Sequence, residues 1–341
     1  MITRPIPVPP KDARLNWHLD QPFRLKHLVI AGLLLALLVV TGQRTEMDRM
    51  LAMTTEAVGN LVGLNDDSQV VRGLGKVADS MWPPVLATSE EVARIGDLDT
   101  DNLPWFSRIE STETVRQRLN TDTLELETTT ETIEVLYQPT GYVQTVFVKM
   151  IETLEIALWG TLLAVSLSIP LAWFAASNYS PNRVTYTIAR GLISLLRSVP
   201  ELIVALFLVL AYGFGPIAGV LALGLHAAGF LGKFYAEDIE NADKHPQEAL
   251  EAIGAGKIKT LWYAVMPQVL PQYVAYTAYI LDRNLRMATV IGLVGAGGIG
   301  QELKGRFDMY DYGHVMTILI AIFLFVFVLD QISARIRARM I

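Results

Sequence analysis

Apolar residues run in long stretches along most of this chain, separated by short polar connectors, and one region in the first half breaks that habit. A helix needs roughly 20 predominantly apolar residues to cross about 30 Å of hydrocarbon. Six runs approach or reach that length: residues 28–42, 153–177, 184–212, 216–236, 272–294 and 314–332. The first is short. The second and third contain Pro170 and Pro200, each of which removes a helical hydrogen bond and bends its helix. The pattern predicts an all-α polytopic membrane protein with about six transmembrane helices.

The exception is the polar region 43–142. Met47, Met50, Leu51, Val58, Leu61 and Val62 recur at helical spacing, as do Val70, Val71, Leu74, Val77 and Met81, until Pro83 and Pro84 end the second pattern. Further on, Leu124, Leu126, Ile133, Val135 and Tyr137 alternate with polar residues on either side of Thr128, Thr129 and Thr130. That alternation predicts a β-hairpin turning at the threonines. A small insertion of helices plus a β-hairpin is expected.

Charge gives the spans a direction. The net charge is −6, yet residues 43–142 hold 18 Asp and Glu against 8 Lys and Arg, which leaves about +4 for the rest. Basic residues concentrate on the cytoplasmic side of membrane proteins. Arg4, Lys11, Arg14, Arg24 and Lys26 precede the first run, Arg183 follows the second, Lys244, Lys257 and Lys259 follow the fourth, and Arg335, Arg337 and Arg339 follow the sixth. Six spans put all four groups on one side and the acidic region on the other. The expected division is a cytoplasmic tail (1–27), a first transmembrane helix (28–42), an acidic periplasmic insertion (43–142), a membrane core (143–334) and a basic cytoplasmic C-terminus (335–341). The 27 residues before the first run are long for a cleaved signal and no A-x-A site follows, so 28–42 reads as a retained anchor.

Composition narrows the chemistry. Mean hydropathy is +0.36 and charged residues are 18%, against roughly 25% in soluble proteins. Cysteine is absent, and the five histidines (His18, His27, His226, His245, His314) show no metal-ligand spacing. Two glycine motifs imitate nucleotide sites. Gly254, Ala255, Gly256 and Lys257 are followed by Ile258 where a phosphate loop requires Ser or Thr. Residues 295–300 satisfy G-x-G-x-x-G but follow a transmembrane run instead of a strand. Unwound backbone at membrane depth is tolerated only against protein or a water-filled cavity. Gly295, Gly297, Gly298 and Gly300 therefore read as part of a path or gate.

Residues 241–267 carry a second kind of signal. Pro246 suits a first helical turn with Asp243 or His245 near its cap, and Glu248 adds favourable charge there. Ala249 and Ala252 leave room for another surface. Gly254 and Gly256 break the helix, residues 257–264 resume it, Pro267 ends that turn and Pro271 opens the fifth span. This segment resembles the EAA coupling motif of ATP-binding-cassette (ABC) importer permeases. Glu248, Ala249, Gly254 and Pro267 match, while Leu250, Ala264 and Met266 depart from it. From 152 to 303 the chain is similar to the phosphonate permease family of PhnE type. The likeness rests on Glu152-Thr153-Leu154, Gly160-Thr161, Pro170-Leu171-Ala172, Arg197 through Glu201, Gly215-Pro216, Leu231-Gly232-Lys233, and Ala288-Thr289-Val290 before the glycine loop.

The resemblance implies a type I permease subunit of the prokaryotic inner membrane, multi-pass, importing phosphonate or a related phosphorus oxyanion. It implies no enzyme activity and no cofactor on this chain, with ATP and Mg held by a separate ABC ATPase dimer. The other implied partners are a periplasmic phosphonate-binding protein and a second permease subunit forming a homodimer; the lipid bilayer surrounds them and no nucleic acid is expected. The insertion then either docks the binding protein or caps the channel mouth. Competing readings are a methionine-type permease, an ion-coupled secondary transporter, which requires inverted repeats not visible here, and a membrane anchor or sensor for the acidic module.

Arginines inside the spans invite two explanations. Arg190 and Arg197 are seven residues apart on one face of the third run, and Arg283 and Arg286 lie in the fifth. An arginine at mid-bilayer costs about 2.5–3.5 kcal/mol on insertion scales and faces protein or water. Arg197 and Arg286 either line the path for an anion or pair with Glu201 and Asp282 at i,i+4 spacing. Arg190 and Arg283 are candidates for snorkelling to the interface. His226 either gates or binds, or is a hydrogen-bonded histidine of the bundle.

Overall fold

The computed structural model describes residues 25–64, 68–96, 103–104, 106–119 and 126–340. The tail with Arg4, Lys11, Arg14 and Arg24 lies outside them. The chain divides into two compact units, residues 1–78 and 79–341.

The first unit contains α1 (Leu25–Arg44) and α2 (Met47–Leu61), and it ends within α3 (Gln69–Met81). Helix α1 has 20 residues, hence about 30 Å of length, and Leu33, Leu34, Leu35, Leu37 and Leu38 are all exposed. A helix apolar all round and open on every side suits lipid. Its axis turns by 71° into α2 at Glu46, which takes the left-handed conformation at φ 53°. Both helices expected from the periodicity at 47–62 and 70–81 are present.

The second unit opens with a three-stranded antiparallel sheet of β1 (Thr88–Glu91), β2 (Arg108–Leu119) and β3 (Leu126–Gln138), in the order β1-β3-β2. The hairpin is real, but its turn is not at the threonines. Thr128, Thr129 and Thr130 sit inside β3 opposite Gln117, Arg116 and Val115. Threonine is β-branched and favours the strand itself. The last pair of the ladder is Leu119 with Leu126; residues 120–125, with Leu124 of the expected alternation, lie outside the described residues.

Seven helices of the second unit follow: α4 (Gly141–Ala175), α5 (Arg183–Ser198), α6 (Glu201–Tyr212), α7 (Pro216–Asn241), α8 (Lys244–Ala252), α9 (Lys257–Thr260) and α10 (Met266–Gly292), with one π turn (Leu261–Val265) before the last. Helices α11 (Gly298–Asp308) and α12 (Tyr312–Met340) complete it. Helices α4 and α7 pack along each other through small residues. A Cβ on Gly160 would stand 3.0 Å from the Leu223 Cβ, and one on Gly224 would stand 2.6 Å from Leu163. Ala157, Ala164, Ala222, Ala227 and Ala228 are fully buried beside them. Close backbone approach through small residues is how membrane helices gain packing where water gives no drive.

The helical, several-span architecture matches the expectation, with one correction. The bend expected at Pro200 is a sharp break: α5 and α6 meet at 90° across Val199 and Pro200. Pro267, however, does not end a turn. It lies in the first turn of α10, and Pro271 lies inside that helix. The π turn carries the helix from α9 into α10 without a gap, and it interrupts the i→i−4 ladder just before Pro267, which has no N–H to give. Among the described residues, three helices (α4, α7 and the first 20 residues of α12) are long and apolar enough to cross a membrane alone, and the α1–α2 and α5–α6 pairs qualify only as bent pairs. Helix α10 has the length but carries Asp282, Arg283 and Arg286.

Candidate translocation site and coupling segment

The coupling segment forms an elbow. Asp243 caps α8, its Oδ1 accepting from the His245 N–H at 3.1 Å. Gly254 turns the chain at φ 87°, a conformation that favours glycine, and α9 leads through the π turn into α10. Glu248, Ala249, Ala252, Gly254 and Pro267 are all exposed. So are Ile253 (79%), Ile258 and Tyr263, large apolar side chains on a polar segment. The inner side is anchored. Tyr179 donates to Gln247 Oε1 at 2.8 Å, the Asp243 N–H donates to Gln268 Oε1 at 2.9 Å, and Thr260, Leu261, Ala264 and Val265 are buried. A load on the outer face of α8 therefore reaches α10 through fixed contacts.

The glycine loop is close-packed. Gly295, Gly297 and Gly298 take φ values of 91°, 87° and 69°. The Gly215 N–H donates to the Gly295 carbonyl at 3.0 Å, and a Cβ on Gly219 would stand 2.6 Å from the Ala296 carbonyl. A Cβ on Gly300 would fall 2.0 Å from the Thr289 carbonyl. The first N–H groups of α11 have no intrahelical acceptor, and α4 supplies two: Gly298 N–H donates to Glu152 Oε1 at 3.0 Å and Ile299 N–H to Thr153 Oγ1 at 2.8 Å. Glu152 and Thr153 were visible only as family-like residues; their partners lie 146 positions away.

Beyond α11 the helix ends are tied by polar groups. Tyr142 donates to Glu302, Arg306 bridges Glu302 and Asp311, and His314 Nδ1 lies 2.7 Å from Asp311 Oδ1. Burial pushes the Asp311 carboxyl up, but hydrogen bonds from His314 and Arg306 outweigh it and hold it below the usual aspartate range. The segment before β1 is pinned to this end, with Val85 N–H donating to the Gly313 carbonyl and Thr317 Oγ1 donating to the Val85 carbonyl at 2.6 Å.

Inside the helices, the charged residues pair differently from the i,i+4 expectation. Arg286 does pair with Asp282, at 2.8 Å, and also with Asp330 of α12 at 3.2 Å. Arg197 does not pair with Glu201. The break at Pro200 destroys the continuous helix that i,i+4 contact needs, and Glu201 turns instead to Arg283 at 2.7 Å and to His226 Nε2 at 3.2 Å. Arg283 is thus held by partners within the bundle. Arg190 is held by Glu240 at 2.8 Å and by the Ala175 carbonyl. Arg197 has no carboxylate within salt-bridge reach among the described residues; its guanidinium stands over the Phe230 ring at 5.7 Å, and that of Arg283 stands over the same ring at 5.0 Å. His226 Nδ1 lies 3.0 Å from the Val199 carbonyl that the helix break sets free, and Nε2 lies 3.0 Å from Arg283 Nη2. Phe230 is the member of this cluster that the sequence did not single out; Glu201 was expected against Arg197, and the Glu201–Arg283 pair was not expected.

Comparison with known proteins bears on this geometry. Residues 168–341 match the family model described as binding-protein-dependent transport system inner membrane component. The chain is 74% identical over 261 residues to HtxE of Stutzerimonas stutzeri, named for a phosphite transport system permease, covering 76% of this chain and all of that protein. It is 45% identical over 188 residues to the phosphite transport system permease PtxC of the same organism, 55% of this chain and 68% of the relative. It is 40% identical over 195 residues to the phosphate-import permease PhnE of Mycolicibacterium smegmatis, 57% of this chain and 37% of the relative. Coverage of the whole of HtxE at that identity, with the family match over the C-terminal half, places this chain in the family of binding-protein-dependent transport system inner membrane components, as a permease of the ABC importer kind.

Proposed function

We propose that this permease carries a phosphorus oxyanion inward, and that Glu248, Ala249, Ala252, Gly254 and Pro267 form its contact with a separate ATPase dimer. The observation that carries the coupling role is the elbow at Gly254, open on its outer face and bonded on its inner face to the bundle. Closure of the ATPase pair around ATP presses on α8; the Asp243–Gln268 hydrogen bond transmits the displacement to α10, whose far end runs into the glycine loop, and the Tyr179–Gln247 bond ties α8 to the connection between α4 and α5. Gly295, Gly297, Gly298 and Gly300 then act at the gate, not as flexible linkers but as a packed joint whose movement must displace α4 and α7 together. The substrate class is supported by the relatives, which are named for phosphite and for phosphate.

The complete transporter in this reading has two copies of this chain, the ATPase dimer with ATP and Mg, and a binding protein on the periplasmic side. Both termini of the permease are cytoplasmic, which puts the acidic region 43–142 on the side where the binding protein docks. Uptake into proteoliposomes holding this chain, its ATPase and its binding protein provides the test. Phosphite, methylphosphonate or phosphate should accumulate only when ATP is enclosed with the ATPase domains, and methionine should not accumulate. Accumulation without ATP would sink the reading in favour of an ion-coupled transporter.

A further inference from the structure

We infer that Arg197 and Arg283, on either helix beside Phe230, form a mid-membrane subsite for the transported oxyanion, and that Glu201 occupies it as an internal competitor. The inference rests on the proposed function for its substrate and goes beyond it in naming the site and the group that keeps it weak.

Position comes first. His226 is ten residues beyond Pro216, the start of α7, so it lies about 15 Å along a 26-residue helix that is long and apolar enough to cross a membrane, in its middle third. The 90° break between α5 and α6 falls beside it, since the Val199 carbonyl bonds to His226. Irregular backbone at that depth must be buried in protein or line a polar cavity. Here it is accompanied by two arginines, a glutamate and a histidine, groups that inside a membrane mark a polar path.

Charge comes second. Nδ1 of His226 faces the Val199 carbonyl, which can only accept, so Nδ1 carries the proton. In the neutral ring Nε2 accepts from Arg283 Nη2, and Glu201 Oε2, 3.2 Å from Nε2, keeps only Arg283 as its partner. In that tautomer the histidine is neutral, Glu201 cancels one guanidinium, and Arg197 leaves the cluster one positive charge in excess. Glu201 is also the first residue of α6, a 12-residue helix whose N-terminus favours an anion. The chain's own carboxylate therefore sits at a helix terminus against the Arg283 guanidinium, while the Arg197 guanidinium stands by the same Phe230 ring as Arg283 without a carboxylate. A tetrahedral oxyanion offers several oxygens to planar, forked donors and can replace it.

The other arginines of the bundle do not share these features. Arg190 is held by Glu240, and Arg286 is divided between Asp282 and Asp330. The expectation that Arg286 attracts the substrate is thus transferred to Arg283, while Arg197 stays. Glu201 gives the subsite a reason to release: an anion bound to both arginines must keep the carboxylate displaced, so affinity stays low enough for transport.

The test uses the purified permease–ATPase complex without binding protein, so that ligand affinity at the membrane site is read directly by calorimetric titration with phosphite, and uptake is read with the binding protein added. Glu201→Gln keeps the shape and an acceptor for Arg283 while removing the competing charge; it should tighten phosphite binding about tenfold and slow uptake at saturation. Arg197→Gln, which breaks no ion pair, should abolish detectable binding and cut uptake at least tenfold in a complex that still assembles, with Arg197→Lys recovering part of it. Unchanged binding and uptake in both Glu201→Gln and Arg197→Gln would overturn the subsite. If the wild-type complex takes up none of phosphite, methylphosphonate and phosphate, the proposed substrate class falls first and this subsite with it.

Discussion

Two stretches of this chain are rich in glycine, and they use it for opposite ends. Around the loop 295–300 the missing side chains make room: backbone from α10 and the start of α7, with side chains of α4 and Phe214, comes within 2–3 Å of where Cβ atoms would stand. At the elbow, neither Gly254 nor Gly256 has anything within 4 Å, and only Gly254 needs its backbone freedom, at φ 87°. One region is a joint whose parts cannot move separately; the other is a handle held at its inner side and free outside. On the proposed reading, a transporter driven from one face needs both, because a push on a handle reaches a distant gate only through parts that do not yield.

Substitutions that fill or unpair these places separate the two roles, and the largest effect is expected in the loop. Gly300→Ala puts a methyl 2.0 Å from the Thr289 carbonyl and 2.9 Å from the Gly292 Cα, both backbone. Overpacking of this kind costs about 3 kcal/mol, so thermal unfolding of the detergent-purified chain should shift down by several degrees and uptake should fail. Next comes Thr153→Val, which keeps the shape but strips the Ile299 N–H of its buried acceptor, at a cost of about 2 kcal/mol. A Thr153→Val protein as stable as wild type would mean that α4 does not clamp α11.

The elbow should respond in function more than in fold. Gly254→Ala forces a side chain into the left-handed region in open space, a cost of about 1 kcal/mol, and reorients α8 against α9. The unfolding midpoint should barely move, while uptake per ATP hydrolysed should fall several-fold. Smallest of all is Gly256→Ala, at φ −77° with nothing near it, which should alter stability by less than about 0.5 kcal/mol. Should Gly256→Ala nevertheless uncouple ATP hydrolysis from uptake, the partner surface approaches that residue closely, and the handle extends one turn beyond Gly254.

The same contrast governs how much could be read in advance. The elbow was legible because its signals are local: Pro246 in a first turn, Asp243 at the cap and Gly254 at the break lie within a dozen residues. Its one misreading, Pro267 as a stop, came from taking the proline as a helix breaker without the π turn that delivers it into a first turn. The loop was recognisable as packed backbone, yet its clamp by Glu152 and Thr153 was not, since nothing local links positions 146 apart. Likewise the i,i+4 rule succeeded for Asp282 and Arg286 on an unbroken helix and failed for Arg197 and Glu201 across Pro200. Glu201 instead meets Arg283, 82 positions on, which only the packing of α6, α7 and α10 brings together. In the sheet, Thr128, Thr129 and Thr130 were polar enough to suggest a turn, but their β-branched side chains suit the middle of a strand.

ATP hydrolysis by the reconstituted complex of this chain, its ATPase and its binding protein tests the central claim most directly. The rates to compare are those with phosphite-loaded, phosphonate-loaded and empty binding protein. Stimulation of at least several-fold by one loaded form over the empty one is predicted, because the loaded protein must signal through this permease to the elbow. Equal rates with all three, in a complex that is assembled and hydrolyses ATP, would contradict import of a phosphorus oxyanion by this chain.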